Sequence, residues 1–124
     1  MNGEQLFYIL LVAAGGALGA VLRYGMSFFL SQDGHMAWGT LAVNLIGSFL
    51  ICLLFFKFAD MSQVTKIFLF IGVFGAFTTM SSVSLETMNF FSQGNIGYAF
   101  LTFLLNTTGC VGAGYVGMIV ARLI

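Results

Sequence analysis

At 124 residues the chain is 60% hydrophobic and only 6% charged, with a mean hydropathy of +1.04, no proline, and four acidic side chains balancing four basic ones. A water-soluble domain carries roughly a quarter charged residues on average, so this composition excludes one and makes lipid the solvent. Zero net charge leaves no basic footprint for nucleic acid, and the lack of a Cys/His metal set, a nucleophile–base pair or a phosphate loop argues against enzyme chemistry.

The expected fold class is an all-α membrane protein, a single domain over residues 1–124 with four transmembrane helices near 6–30, 38–58, 65–91 and 96–122. Each run supplies the twenty or so apolar residues that a bilayer crossing requires. The first, from Leu6 to Leu30, is broken only by Arg23 and small residues. Met1 to Gln5 holds no Lys or Arg, so the run behind it is a poor signal peptide and reads as a retained helix. Ser31 to His35 make a polar turn, with His35 a solvated residue. The second run starts at Trp38 and ends among Lys57, Asp60, Ser62 and Gln63. The third continues to about Phe91 with an oddly polar centre, and Ser92 to Asn95 form the turn into the fourth. Short links make successive helices antiparallel neighbours, and no ten-residue alternation of the barrel type appears. Lys57, Lys66 and Arg122 fall on the side of the termini, which the positive-inside rule assigns to the cytoplasm. Tyr24 and Trp38 read as interface anchors.

Small residues cluster on two helices: Gly15, Gly16, Gly19 and Ala20 in the first, and Gly109, Gly112, Gly114 and Gly117 in the fourth. In lipid, such faces let backbones approach closely. Cys52 and Cys110 form no CxxC pair and read as buried free thiols rather than a disulfide.

Polar side chains inside spans must find a partner or face water, and three sets stand out. Thr40, Asn44 and Ser48 share one stripe of the second span, and Thr102, Asn106 and Cys110, with Tyr98 a turn earlier, share one of the fourth. Such amide and hydroxyl donors, free of Lys or Arg, suit a small anion that must be held weakly enough to leave; interhelical hydrogen bonding is the alternative reading. The third set is the segment G-V-F-G-A-F-T-T-M-S-S-V-S-L-E from Gly72 to Glu86, followed by Thr87. Two glycines before a dense Ser/Thr cluster predict a third helix broken mid-membrane, tolerated only where protein or water covers it; hydroxyls bonded back to carbonyls of an unbroken helix are the alternative. A break exposes carbonyls suited to sodium. Arg23 and Glu86 are the ionisable groups set inside apolar runs. Arg23 lines an anion-attracting vestibule or reaches to the interface, and Glu86 lines water or accepts from nearby hydroxyls.

Taken in order, G-G-A-L-G-A-V-L-R-Y (Gly15 to Tyr24), G-T-L-A-V-N-L-I-G-S-F (Gly39 to Phe49) and the Gly72–Glu86 cluster resemble the Fluc (CrcB) family of fluoride channels over nearly the whole chain. The resemblance implies passive export of fluoride from the cytoplasm, relieving its toxicity, by an antiparallel, dual-topology dimer in the cell membrane. It implies a structural Na+ at the dimer centre, held by backbone carbonyls that motif places at Gly75 and Thr78. By the same carry-over the fluoride pore takes Asn44, Met80, Ser81, Val83, Ser84 and Glu86, joined by Thr102 and Asn106 on helical spacing, with Arg23 at a vestibule. One departure stands out: where the family has T-T-F-S-T-F-S, this chain has T-T-M-S-S-V-S, so Met80 and Val83 replace two rings whose positive edges line the ion path. With the lysine and arginine bias toward one side, this leaves open a homodimer or a heterodimer with an inverted paralogue. The alternatives are a non-conducting partner subunit of such a channel, or a proton-coupled exporter of the small multidrug resistance type, which wants a carboxylate deep in the first helix, where Glu4 precedes the span.

Overall fold

The computed structural model describes residues 1–31 and 38–124; most of the expected first turn, His35 included, lies outside the described residues. Four helical segments are long and apolar enough to cross a membrane: Gly3–Leu30, Trp38–Lys57, Gln63–Ser92 and Ile96–Leu123. No strand occurs among the described residues. Large apolar side chains such as Val21, Phe29, Leu85 and Val111 point outward, each more than two-thirds exposed. That inside-out pattern is the mark of a multi-pass membrane protein, whose solvent is as apolar as its core.

Helix α1 (Gly3–Leu30) begins at a reciprocal cap: Asn2 Oδ1 accepts from the Gln5 N–H at 2.9 Å while the Asn2 N–H donates to Gln5 Oε1 at 3.0 Å. Two of the orphan donors of a helix start are thereby satisfied. Helix α2 (Trp38–Lys57) follows, its Gly39 N–H bonded to Ser31 Oγ at 3.2 Å. The third span is not one helix. It runs as α3 (Gln63–Lys66), a wide π-helical stretch (Ile67–Val73), α4 (Phe74–Phe77) and, after two extended residues, α5 (Met80–Ser92). Helix α6 (Ile96–Leu123) completes the chain after a turn in which Gly94 takes a positive φ of 78°, a conformation that glycine adopts at no steric cost.

Close packing joins alternate spans as well as consecutive ones. The most extensive contact is between α2 and α6, and the next is between α1 and the π stretch. Glycines explain both. A Cβ on Gly15 would stand 2.5 Å from the Phe68 carbonyl oxygen and 3.0 Å from Gly72 Cα, and one on Gly19 would strike the Val73 carbonyl. On α6, Gly117 lies against the Phe49 carbonyl and Gly114 against Cys52. The order of these contacts along each chain makes α1 parallel to the third span and α2 parallel to α6, as an up-down-up-down path requires. Gly16 and Gly112, although part of the same small-residue clusters, face open space.

Candidate functional site

The third span breaks at Thr78 and Thr79, whose backbones are extended (φ −86°, ψ 155° and φ −154°, ψ 123°). The glycines do not make the break, contrary to what their position suggests: Gly72 sits in the π stretch and Gly75 in α4. Gly72 serves instead to admit Gly15 of α1. What holds the break open is a side chain from another span. Asn44 of α2 donates from Nδ2 to the Thr79 carbonyl at 3.0 Å, and its Oδ1 accepts the Thr79 N–H at 2.8 Å. The buried asparagine thus pairs with both backbone groups of Thr79, much as a neighbouring strand would, and satisfies polar groups that no lipid could. Thr79 Oγ1 then accepts the Ser82 N–H at 3.2 Å and caps α5.

The same amide reaches α6. Asn44 Nδ2 also donates to Asn106 Oδ1 at 2.8 Å, and Asn106 Nδ2 donates to the Thr102 carbonyl at 2.9 Å. Asn44 is 6% exposed, Thr102 2% and Asn106 4%. Both Asn44 N–H groups are therefore committed to protein acceptors. Asn106 retains one amide N–H beyond its bond to Thr102, because an amide has two. Sequence reasoning placed both asparagines at an anion path and also as interhelical bonding groups; the geometry gives Asn44 the bonding role and leaves the spare donor on Asn106.

Around this break lies a pocket of about 380 Å³, whose wall includes Asn44, Ser48, Thr79, Met80, Asn106 and Cys110. No charged side chain among the described residues lines it. Met80, at the start of α5, is 52% exposed beside it. The remaining predicted residues spread along α5. Ser81 shares a hydrogen bond with Thr79 Oγ1 at 3.0 Å, and Ser84 Oγ donates back to the Met80 carbonyl at 3.1 Å; both are exposed. Glu86, further along, accepts from the Thr40 hydroxyl through Oε1, while its buried Oε2 has no partner among the described residues. Thr87 Oγ1 and Thr102 Oγ1 are buried and unpartnered in the same way. Arg23 lies half-buried one turn beyond Gly19 and two beyond Gly15, on the face of α1 that meets the third span. Thr40 and Thr79 are the site residues that the motifs did not assign; Thr40 was visible only as a member of the Asn44 stripe, and Thr79 as one hydroxyl among six.

Val83 departs most from expectation. Read as a pore-lining position, it is fully buried within the chain, at 0% exposure, one turn of α5 beyond the exposed Met80. Met80→Phe enlarges an exposed side chain and is expected to leave the melting temperature in detergent unchanged. Val83→Phe overpacks a filled site and is expected to cost about 1–3 kcal/mol, read as a clear fall in that temperature.

The break also frees backbone groups of both kinds. Thr79 N–H, the ordinary helical donor to Gly75, is spent on Asn44, and the carbonyls of Gly75 and Thr78 accept no hydrogen bond among the described residues. Oxygens of this kind suit a hard cation. On the other side of the break, the first N–H groups of α5 and its helix dipole favour negative charge.

The family profile "CrcB-like protein, Camphor Resistance (CrcB)" matches residues 10–118. The chain is 43% identical over 118 residues to the fluoride-specific ion channel FluC of Magnetococcus marinus, covering 91% of this chain and 96% of that one. It is 40% identical over 119 residues to the protein of the same name from Agrobacterium fabrum (92% and 95% covered). An archaeal counterpart from Methanocaldococcus jannaschii is 38% identical over 118 residues (94% and 95% covered). The chain belongs to the CrcB-like protein family.

Proposed function

We propose that this chain is the subunit of a fluoride-selective channel of the cell membrane, through which F− leaves the cytoplasm passively and its toxicity is relieved. The observation that carries the reading is the uncharged pocket at the helix break, furnished with the spare Asn106 N–H and the start of α5. A small, strongly hydrated anion gives up its water only where donors replace it, and it moves on only where no full positive charge traps it. Amide donors and a helix terminus meet both conditions. The relatives named as fluoride-specific channels support the same conclusion. A proton-coupled exporter draws no support from the first span, whose Glu4 lies in the first turn of α1 and accepts from Tyr8. Purified protein in liposomes is expected to release fluoride to a fluoride electrode and to release no chloride under the same gradient; equal fluxes of the two ions would remove the reading.

The assembly belongs to the same proposal. Exposed, unbonded carbonyls at Gly75 and Thr78 cannot face lipid, so a second, inverted subunit covers them, and a Na+ ion between the two sets of carbonyls supplies the charge that their dipoles lack. The partner is another copy of this chain or an inverted paralogue. Fluoride efflux from liposomes holding this chain alone separates the two, since flux without a second gene product rules out an obligatory paralogue. Replacing all Na+ by N-methylglucamine during purification and assay is expected to abolish efflux and to lower the melting temperature, with recovery on adding Na+ back. Full activity in the absence of Na+ would dismiss the cation.

A further inference from the structure

The third span changes its winding before it breaks. Ahead of the π stretch the Lys66 N–H donates to the Ser62 carbonyl at 3.0 Å, and behind it the Thr78 N–H donates to the Phe74 carbonyl at 3.1 Å, each four residues back as in an α-helix. Between them the Phe74 N–H reaches five residues back, to the Leu69 carbonyl. The stretch therefore holds one residue more than α winding would place between the same two ends. Contacts with α1 show what keeps it. The backbone atoms that crowd Gly15 and Gly19 belong to Phe68, Gly72, Val73 and Phe77, positions i, i+4, i+5 and i+9. Nine residues make about two and a half α-helical turns, so α winding would carry Phe77 to the face opposite Phe68. The wider turn brings both onto the face that meets α1. Two residues further on, Asn44 of α2 holds both backbone groups of Thr79. The span is thus gripped by α1 from Phe68 to Phe77 and by α2 at Thr79, and the surplus residue is taken up before the second grip.

We propose that Ile67–Val73 is a register device, which absorbs this one residue and so sets the rotational phase at which Thr79 reaches Asn44. Take one residue out of the stretch, and the four positions that meet α1 fall at i, i+3, i+4 and i+8, the single stripe of an α-helix. The shortened span then winds as α up to the break, and it still presents the same face to α1 and the same residue to Asn44. Ile71 is the residue it can spare, since it is 60% exposed and takes part in none of these contacts. A uniformly α-wound span has no such store. Loss of one residue from it turns everything beyond by about 100° against its neighbours. Single π turns inside α-helices are rare and frequent at functional sites; this one stands one turn ahead of the break, separated from it by α4.

The test deletes Ile71 and, for comparison, Val111, which is 76% exposed and lies in α-wound α6 ahead of Gly114 and Gly117. Each deletion removes one outward-facing apolar residue. The chain without Val111 is expected to show no cooperative melting in detergent, because Gly114 and Gly117 turn away from α2. The chain without Ile71 is expected to melt cooperatively within about 5 °C of the parent. A second measurement reads the phase of the break itself: Asn44→Ala is expected to lower the melting temperature of the Ile71-deleted chain as much as that of the parent, since Thr79 is still in the grip of the amide. Neither measurement uses anion flux, so the outcome stands apart from the fluoride reading. An Ile71 deletion as damaging as the Val111 deletion, or one in which Asn44→Ala costs nothing further, overturns the proposal.

Discussion

Asn44→Ala is expected to abolish fluoride efflux and to destabilise the protein in one stroke. Removing this amide leaves the Thr79 N–H, the Thr79 carbonyl and Asn106 Oδ1 without their partners, in residues only 8% and 4% exposed. An unsatisfied buried polar group costs about 1–3 kcal/mol, so the loss is roughly 3 kcal/mol even at the low end of that range, equivalent to more than a hundredfold in an equilibrium. The break has two ways to respond: Thr79 turns helical, closing the carbonyls and the α5 terminus that the break opens, or the two spans separate. Either removes the pocket. Asn44→Asp tests the direction of the bonds. It keeps the acceptor for the Thr79 N–H but loses both donors and places a carboxylate among acceptors, so it is expected to be no better than alanine. Ser48→Ala is the control, since Ser48 shares the stripe and the pocket but makes no hydrogen bond among the described residues. Efflux from liposomes and melting temperature in detergent report on all three. Efflux by Asn44→Ala at the unsubstituted rate would mean that the amide does not hold the break.

The four spans were legible in the sequence because a bilayer imposes a length and a composition that hydropathy reads directly. The broken third helix was legible too, although its cause was misassigned. Gly72 and Gly75 drew attention as helix breakers, yet in lipid a glycine more often marks a place where another backbone must fit, and Gly72 does so against Gly15. The π stretch from Ile67 to Val73 left no trace in the sequence, since an apolar run looks the same in either helical winding. The capture of Thr79 by Asn44 depends on where α2 lies relative to the third span, which local pattern does not carry. The link from Asn44 to Asn106 follows from the parallel packing of α2 and α6, and consecutive-neighbour reasoning could not foresee that. Val83 shows the same limit: a motif position tells which residue type to expect, and only the rotation of α5 tells which way it faces.

Glycine substitutions should divide sharply by what each glycine touches. Gly19→Ala and Gly117→Ala drive a methyl group into the carbonyls of Val73 and Phe49. Those atoms belong to helix backbones, so relief requires two spans to move apart and to give up the packing that replaces the hydrophobic effect within a membrane. For Gly19 the spans are α1 and the π stretch; for Gly117 they are α2 and α6, whose separation also stretches the Asn44–Asn106 bond of 2.8 Å. Overpacking of this kind costs about 1–3 kcal/mol and more where backbone must yield, so both variants are expected to melt far below the parent, and Gly117→Ala to lose efflux in addition. Gly16→Ala and Gly112→Ala, three and five residues away from these positions, meet nothing within 4 Å. In a helix interior alanine is favoured over glycine by about 1 kcal/mol, so these two are expected to be neutral or slightly stabilising with efflux unchanged. Helix propensity alone predicts that all four changes stabilise, and a small-residue face with no register predicts that all four harm. A split that follows the contacts separates this packing from both, and its absence would mean that α1 and α6 dock on other faces.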